Sequence, residues 1–171
     1  MSRGPGRPIY LPPWRIDVPT RPGVRSPLPA RAIARAVAAA LEAASAPRPG
    51  SVTVVLTDDE ELADLNQEHM GHQGPTDVLS FPMLEPDAFR SNLGQRGSHR
   101  THIGDIAISV ERAIEQADQG RGGQTGDVRW SAGDEVRLLV THGTLHLCGW
   151  DHAEPAQELE MRALERRLLS E

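Results

Sequence analysis

Apolar residues recur at every fourth position over residues 30–44, in a segment rich in alanine. This spacing places Ile33, Val37 and Leu41 on one face of an amphipathic helix, and Pro29 suits the first turn. Capping residues and apolar stripes predict further helices over residues 58–70, 110–117, 132–148 and from 154 onward. The pattern therefore predicts five helices.

Runs of β-branched residues predict strands between these helices. Residues 51–56 read Ser-Val-Thr-Val-Val-Leu, the composition of a central strand. Further strands are predicted at residues 14–18, 77–82 and 102–109. Residues 83–101 lack periodicity and predict a mobile loop, and residues 1–13 predict a loose tail. Because strands and helices do not alternate strictly, we predict an α+β (mixed α/β) fold: one small mixed β-sheet packed with helices.

Charge divides the chain into two parts. Residues 1–35 hold seven arginines and one acidic residue, whereas the rest holds eleven arginines and twenty-three acidic residues. A basic arm on an acidic body either neutralises the phosphates of a nucleic acid or is a solvated, disordered arm. We therefore predict a basic arm over residues 1–27, with a short first strand in it, and a single domain over residues 28–171.

The chain lacks the sequence features of secreted and membrane proteins. Cys148 is the only cysteine, so an intrachain disulfide cannot form. The first thirty residues lack the apolar core of a signal peptide, and no apolar run approaches the ~18 residues of a membrane span. These features predict a soluble cytoplasmic protein with no membrane partner.

Three histidines lie close together near the end of the helix predicted over residues 132–148. His142 and His146 are four residues apart, so their rings project from the same face of the helix. Gly149 ends that helix and permits a left-handed turn, from which His152 can supply a third nitrogen. Three neutral imidazoles leave an open position on a tetrahedral zinc ion, which is typical of catalytic sites. We predict one Zn²⁺ per chain, or another divalent metal, in a cleft at the helix end.

Two neighbouring residues are considered as additional ligands. Cys148 lies two residues after His146, roughly 200° around the helix, so its sulfur is expected to point away and pack in the core. Asp151 is the better candidate, either orienting an imidazole N–H or touching the metal directly. A lone histidine is usually a core or surface residue, but this spacing favours a metal site.

The histidine spacing also matches a class of zinc peptidases. HxxxHxxGxxH is the ligand pattern of metzincin metalloproteases, in which a glutamate directly after the first histidine is the general base. Gly143 stands at that position here. The missing carboxylate disfavours peptide hydrolysis, and Gly143 predicts instead that another segment packs closely against the helix.

Three ordered motifs resemble a known family. The segment HGTLHLCGWDH (142–152) resembles the HGxLHLxGYDH hallmark of the YbeY family of bacterial rRNA-maturation endoribonucleases, with Trp150 at the usual tyrosine. The segments GPTDVLSFP (74–82) and IGDIAIS (103–109) match in the same order. The resemblance covers roughly residues 50–165, and three motifs in order make chance agreement improbable.

The resemblance implies a metal-dependent, single-strand-specific endoribonuclease. It would act in 3′-end maturation of small-subunit ribosomal RNA and in ribosome quality control, with that RNA and the small subunit as partners. The three histidines would be the zinc ligands, and residues 28–171 the catalytic domain. The nucleophile would be a metal-bound water, no side chain is assigned as general base, and Asp151 and Asp105 are candidates for supporting the ligands.

Contacts to RNA are predicted less directly. Many family members carry an arginine five residues before Pro75, where this chain has Met70. His69 and His72 flank that position, either as phosphate contacts or as exposed residues at a helix end. Further candidate RNA-binding residues are Arg90, Arg96 and Arg100.

Two alternative functions stay open. Because Met70 replaces the usual arginine, the chain could be a non-catalytic ribosome-assembly factor with a structural metal. The zinc peptidase is the other alternative.

Overall fold

The computed structural model describes residues 6–74, 76–91, 96–119 and 130–171, without the side chains of residues 88, 90, 91 and 96–98. This part of the chain contains five strands and six helices. In chain order they are β1 (Ile9–Leu11), β2 (Trp14–Asp17), α1 (Ala30–Ala43), β3 (Arg48–Thr57), α2 (Asp59–Met70), β4 (Val78–Pro82), α3 (Pro86–Ser91), β5 (Arg96–Ser109), α4 (Val110–Asp118), α5 (Ala132–Leu147) and α6 (Pro155–Leu169).

The strands form one mixed sheet in the order β1-β2-β3-β5-β4. The central strand β3 pairs in parallel with β2 and β5, whereas β1 and β4 are antiparallel edge strands. The predicted mixed α/β fold is therefore confirmed. Among the described helices, none combines the length and the apolar character needed to cross a membrane.

Alternate residues of β5 separate the two faces of the sheet. Ile106 belongs to the large core cluster, which also includes Ile33 of α1 and Val140 of α5. The next residue, Ala107, packs instead with Leu62 of α2. Helices α1 and α5 therefore cover one face and α2 covers the other, so the end of α5 that carries the histidines is built on a buried sheet face.

Two segments predicted as irregular contain regular structure. The loop predicted over residues 83–101 is wrong in part, because helix α3 lies within it and β5 already begins at Arg96. The early part of β5 pairs with β3 through backbone hydrogen bonds. Such pairing does not require alternating apolar residues, so the sequence pattern does not reveal it.

The loose tail predicted over residues 1–13 is wrong for Ile9–Leu11, which pairs with β2. The buried Trp14 of β2 likewise anchors the basic segment in the core. The glycine-rich connector at residues 120–126 lies outside the described residues.

Gly104 of β5 is expected to be intolerant of any side chain. A Cβ atom there would lie 2.6 Å from the carbonyl oxygen of Phe81 and 2.7 Å from Cδ2 of Leu147. Since the nearest obstacle is backbone, Gly104→Ala must displace β4 or the end of α5, and we expect it to lower the free energy of unfolding by about 1–3 kcal/mol. Urea denaturation of the purified variant measures this loss. An unchanged midpoint would show that β4 can shift to accommodate the methyl group without loss of stability.

Candidate metal centre

Helix α5 begins and ends at residues that its sequence predicts. The Ser131 hydroxyl accepts a hydrogen bond from the backbone N–H of Asp134 (3.1 Å), whose carboxylate accepts one from the Ser131 N–H (2.9 Å). This capping box satisfies two N–H groups that the first turn leaves free. At the other end Gly149 has φ +86°, a left-handed conformation that glycine adopts without steric cost. The turn directs the following residues back toward the helix.

This turn brings the three predicted histidines together. One ligand nitrogen from each of His142, His146 and His152 lies within 4.8 Å of the other two. The Nε2 atoms of His142 and His146 are 2.9 Å apart, and the His152 ring centroid lies 5.1 Å from that of His146. Convergent imidazole nitrogens at this spacing form a group that can bind a metal ion.

The environment of His146 favours the neutral imidazole that a metal requires. Burial, followed by the charges of His142 and His152, lowers the pKa of His146 below its ordinary value. A hydrogen bond with the Trp150 backbone and the charge of Asp151 oppose this shift more weakly. A neutral ring offers a lone pair, so His146 is suited to coordination rather than to carrying a proton.

A buried carboxylate supports His142 from the last helix. Oε1 of Glu165 lies 2.5 Å from Nδ1 of His142, and the Glu165 side chain is only 12% exposed. When Nδ1–H donates to this carboxylate, the lone pair is left on Nε2, the atom that faces His146. Glu165 is not among the residues predicted from the sequence. Its signal is a charged residue four positions after the buried Met161, on a face of α6 that is otherwise turned inward.

The two aspartates considered as supporting groups have different surroundings. The Asp151 carboxylate accepts a hydrogen bond from the backbone N–H of His152 (2.7 Å), and it therefore steadies the turn beside the histidines. Oδ1 of Asp105 lies 2.9 Å from Nε2 of His102. Because Asp105 alternates with Ile106, which packs under α5, its side chain lies on the opposite face of the sheet.

Two further predictions about α5 are confirmed. Cys148 is buried in the core, and burial raises the pKa of its thiol to about 12, so the thiol stays protonated near neutral pH. Gly143 lies directly against the sheet. A Cβ atom there would be 3.1 Å from both Cγ2 of Ile106 and Oγ of Ser80, and Ser80 donates a hydrogen bond to the Gly143 carbonyl.

A cavity of about 190 Å³ opens beside the histidines, between the end of α5 and the first turns of α6. It is bounded by two of the three histidines, two carboxylates, one arginine and one methionine. The lining residues are His142, His152, Glu158, Met161, Arg162 and Glu165. Two of the three histidines of the group therefore border open space, whereas His146 does not line the cavity.

Three of the predicted RNA contacts lie outside this cavity. The His69 ring packs edge-on against Phe81, with centroids 5.2 Å apart, and His72 is exposed. Arg100 donates hydrogen bonds to the carbonyls of Pro13 and Gly50. None of these three side chains lines the cavity at the histidines. The side chains of Arg90 and Arg96 lie outside the described residues.

This chain is similar to several known proteins over most of its length. The family model for endoribonuclease YbeY matches residues 25–171. An endoribonuclease YbeY from Thermobifida fusca is 40% identical over 155 residues, which cover 91% of this chain and 92% of that one. Its counterpart from Salinispora tropica is 42% identical over 121 residues, covering 70% and 72%.

A solved structure shares the fold as well. A Thermotoga maritima protein determined in solution aligns with a TM-score of 0.57 and 24% identity, over 90% of this chain and 86% of that one. This likeness concerns the fold alone. The family model extends over most of the chain and the relatives' identity is high over most of their length, so the chain belongs to the YbeY endoribonuclease family.

Proposed function

We propose that this chain is a zinc-dependent endoribonuclease that cuts single-stranded RNA. Its proposed roles are 3′-end maturation of small-subunit ribosomal RNA and ribosome quality control, in the cytoplasm and with the small subunit as partner. The observation that carries the proposal is the convergence of His142, His146 and His152 beside a cavity. His69, His72, Arg90, Arg96 and Arg100 stay proposed RNA contacts beyond that cavity.

The donor set fits a catalytic zinc ion better than a structural one. Three imidazole nitrogens form the group, and no fourth histidine, cysteine or carboxylate joins it within the described part of the chain. Structural zinc sites are usually closed by four protein ligands, whereas catalytic sites keep one position open. His142 and His152 line the adjacent cavity, so the group borders open space.

The chain's own residues would prepare the site for phosphodiester hydrolysis. The Glu165 carboxylate accepts a hydrogen bond from Nδ1–H of His142 and so orients that ring. The Asp151 carboxylate accepts one from the backbone N–H of His152 and fixes the backbone there. A bound zinc ion would supply Lewis acidity toward a phosphoryl oxygen and toward water. The buried sheet contact at Gly143 holds the helix that carries two of the ligands in a fixed position.

The peptidase alternative requires a general base at position 143, and this chain has glycine there. Residue 143 faces the sheet, with Ile106 and Ser80 at 3.1 Å from a Cβ atom there. A glutamate at 143 would therefore meet the sheet rather than the cavity. The carboxylates that do line the cavity, Glu158 and Glu165, come from α6.

The proposal is tested by incubating zinc-loaded protein with a single-stranded ribosomal RNA fragment, the same fragment as a duplex, and an unstructured peptide. We expect cutting of the single strand alone, lost when zinc is removed with a chelator. Intact RNA at stoichiometric, zinc-occupied protein would overturn the proposal. In that case a cut peptide would favour a peptidase, and three untouched substrates would favour an assembly factor.

A further inference from the structure

One cationic side chain lines the cavity at the histidines. Arg162 lies on α6 and shares this cavity with His142 and His152. A phosphodiester bound beside the histidines therefore has Arg162 as the guanidinium within the same cavity.

The present partner of Arg162 is exchangeable. Its Nη2 atom lies 2.5 Å from Oε1 of Glu158, one turn earlier on the same helix, and the two side chains are 49% and 43% exposed. Ion pairs this exposed contribute little, because water screens them and two long side chains must be held in place. A guanidinium binds phosphate oxygens through two parallel hydrogen bonds, which makes phosphate a strong competitor for it.

Five other arginines are held away from this cavity. They pair with carboxylates or carbonyls elsewhere: Arg15 with Asp17, Arg21 with Glu61, Arg48 with Glu42, Arg112 with Asp59, and Arg100 with Pro13 and Gly50. Arg166 is exposed one turn further along α6 and is not a lining residue. It provides a matched control on the same helix.

We propose that Arg162 binds a phosphate of the RNA strand in the histidine cavity, and that Glu158 competes with that phosphate for the guanidinium. The inference rests on the proposed function for the identity of the ligand, single-stranded RNA. It assigns to α6 a substrate contact that the sequence analysis placed on other segments. The two residues should thus affect RNA binding in opposite directions.

The test measures binding of a labelled single-stranded oligoribonucleotide to zinc-loaded protein by fluorescence anisotropy, at several salt concentrations. Gels run after each titration check that the RNA stays intact, and a second series uses chelated protein. Arg162→Gln is expected to weaken binding several-fold and to make the slope of log K against log salt shallower by about 0.7, the value for one phosphate contact on a single strand. Glu158→Gln is expected to tighten binding.

The control variant and two further readouts separate this inference from its alternatives. Arg166→Gln removes the same charge from the same helix, and we expect its salt slope to match that of the unmodified protein. Equal losses for Arg162→Gln and Arg166→Gln, or an unchanged slope in Arg162→Gln, would overturn the inference. Zinc content and thermal unfolding of each variant exclude loss of the metal or the fold. If the protein does not cut RNA, the proposed function fails, yet the salt slopes still decide whether Arg162 binds the strand.

Discussion

His146→Ala is expected to abolish both tight zinc binding and RNA cleavage. His146 is half-buried, its Nε2 atom lies 2.9 Å from that of His142, and burial lowers its pKa and so favours the neutral ring. Its loss leaves two nitrogens, one of them on a turn residue. The fall in zinc affinity should exceed the about 10–100-fold that follows loss of a group merely supporting a ligand. Competition with a chromogenic chelator measures affinity, and a labelled RNA fragment measures cleavage.

A histidine outside the triad is the control for this result. His99 is an exposed residue of β5, and His99→Ala removes one imidazole without touching the metal group. We expect it to keep zinc stoichiometry and cleavage. Metal-free samples of both variants are expected to show similar thermal unfolding, because the large apolar cluster is built from other residues. Full zinc occupancy in His146→Ala would mean that the metal is held by another set of residues.

The histidine triad could be predicted from sequence because all of its determinants are local. His142 and His146 share a helix face through their spacing, and Gly149 specifies the turn that returns His152. The capping box at Ser131 marks where that helix begins. Eleven residues thus contain the spacing that brings the three rings together.

Other features depend on contacts between distant parts of the chain. The pairing of Arg96 with Arg48 extends β5 far upstream of the apolar run at Ile103, and no local pattern signals it. Likewise the sequence makes Asp105 a candidate for supporting the metal ligands, but its Oδ1 atom lies 2.9 Å from Nε2 of His102 instead. Local periodicity predicts which residues form a strand's core, whereas pairing partners decide the strand's length and the surroundings of its polar residues.

Glu165 illustrates the same limit within the site itself. Its partner His142 is 23 residues away on another helix, and the contact depends on how α6 packs against α5. The apolar residues Met161 and Leu164 predict only that this part of α6 faces inward. A carboxylate among them needs a buried donor, because an ionised group shielded from water is costly without one.

Glu165→Gln is expected to lower zinc affinity by about 10–100-fold while leaving the fold intact. Glutamine keeps the size of the side chain and one acceptor oxygen. It lacks the negative charge that strengthens the hydrogen bond from Nδ1–H and makes His142 a better donor to the metal. Chelator competition gives the affinity. RNA cleavage should be weak at limiting zinc and recover when zinc is saturating, because the substituted residue supports a ligand and is not one itself.

Glu160→Gln is the matched control, since Glu160 is an exposed residue of the same helix that does not line the histidine cavity. We expect it to leave zinc affinity unchanged. If Glu165→Gln bound zinc as tightly as the control, the contact with His142 would serve only to dock α6 against α5, and thermal unfolding would then show the loss instead. Recovery of cleavage when only the zinc concentration is raised would show that Glu165→Gln impairs zinc binding. The carboxylate would then act through the metal ligand His142.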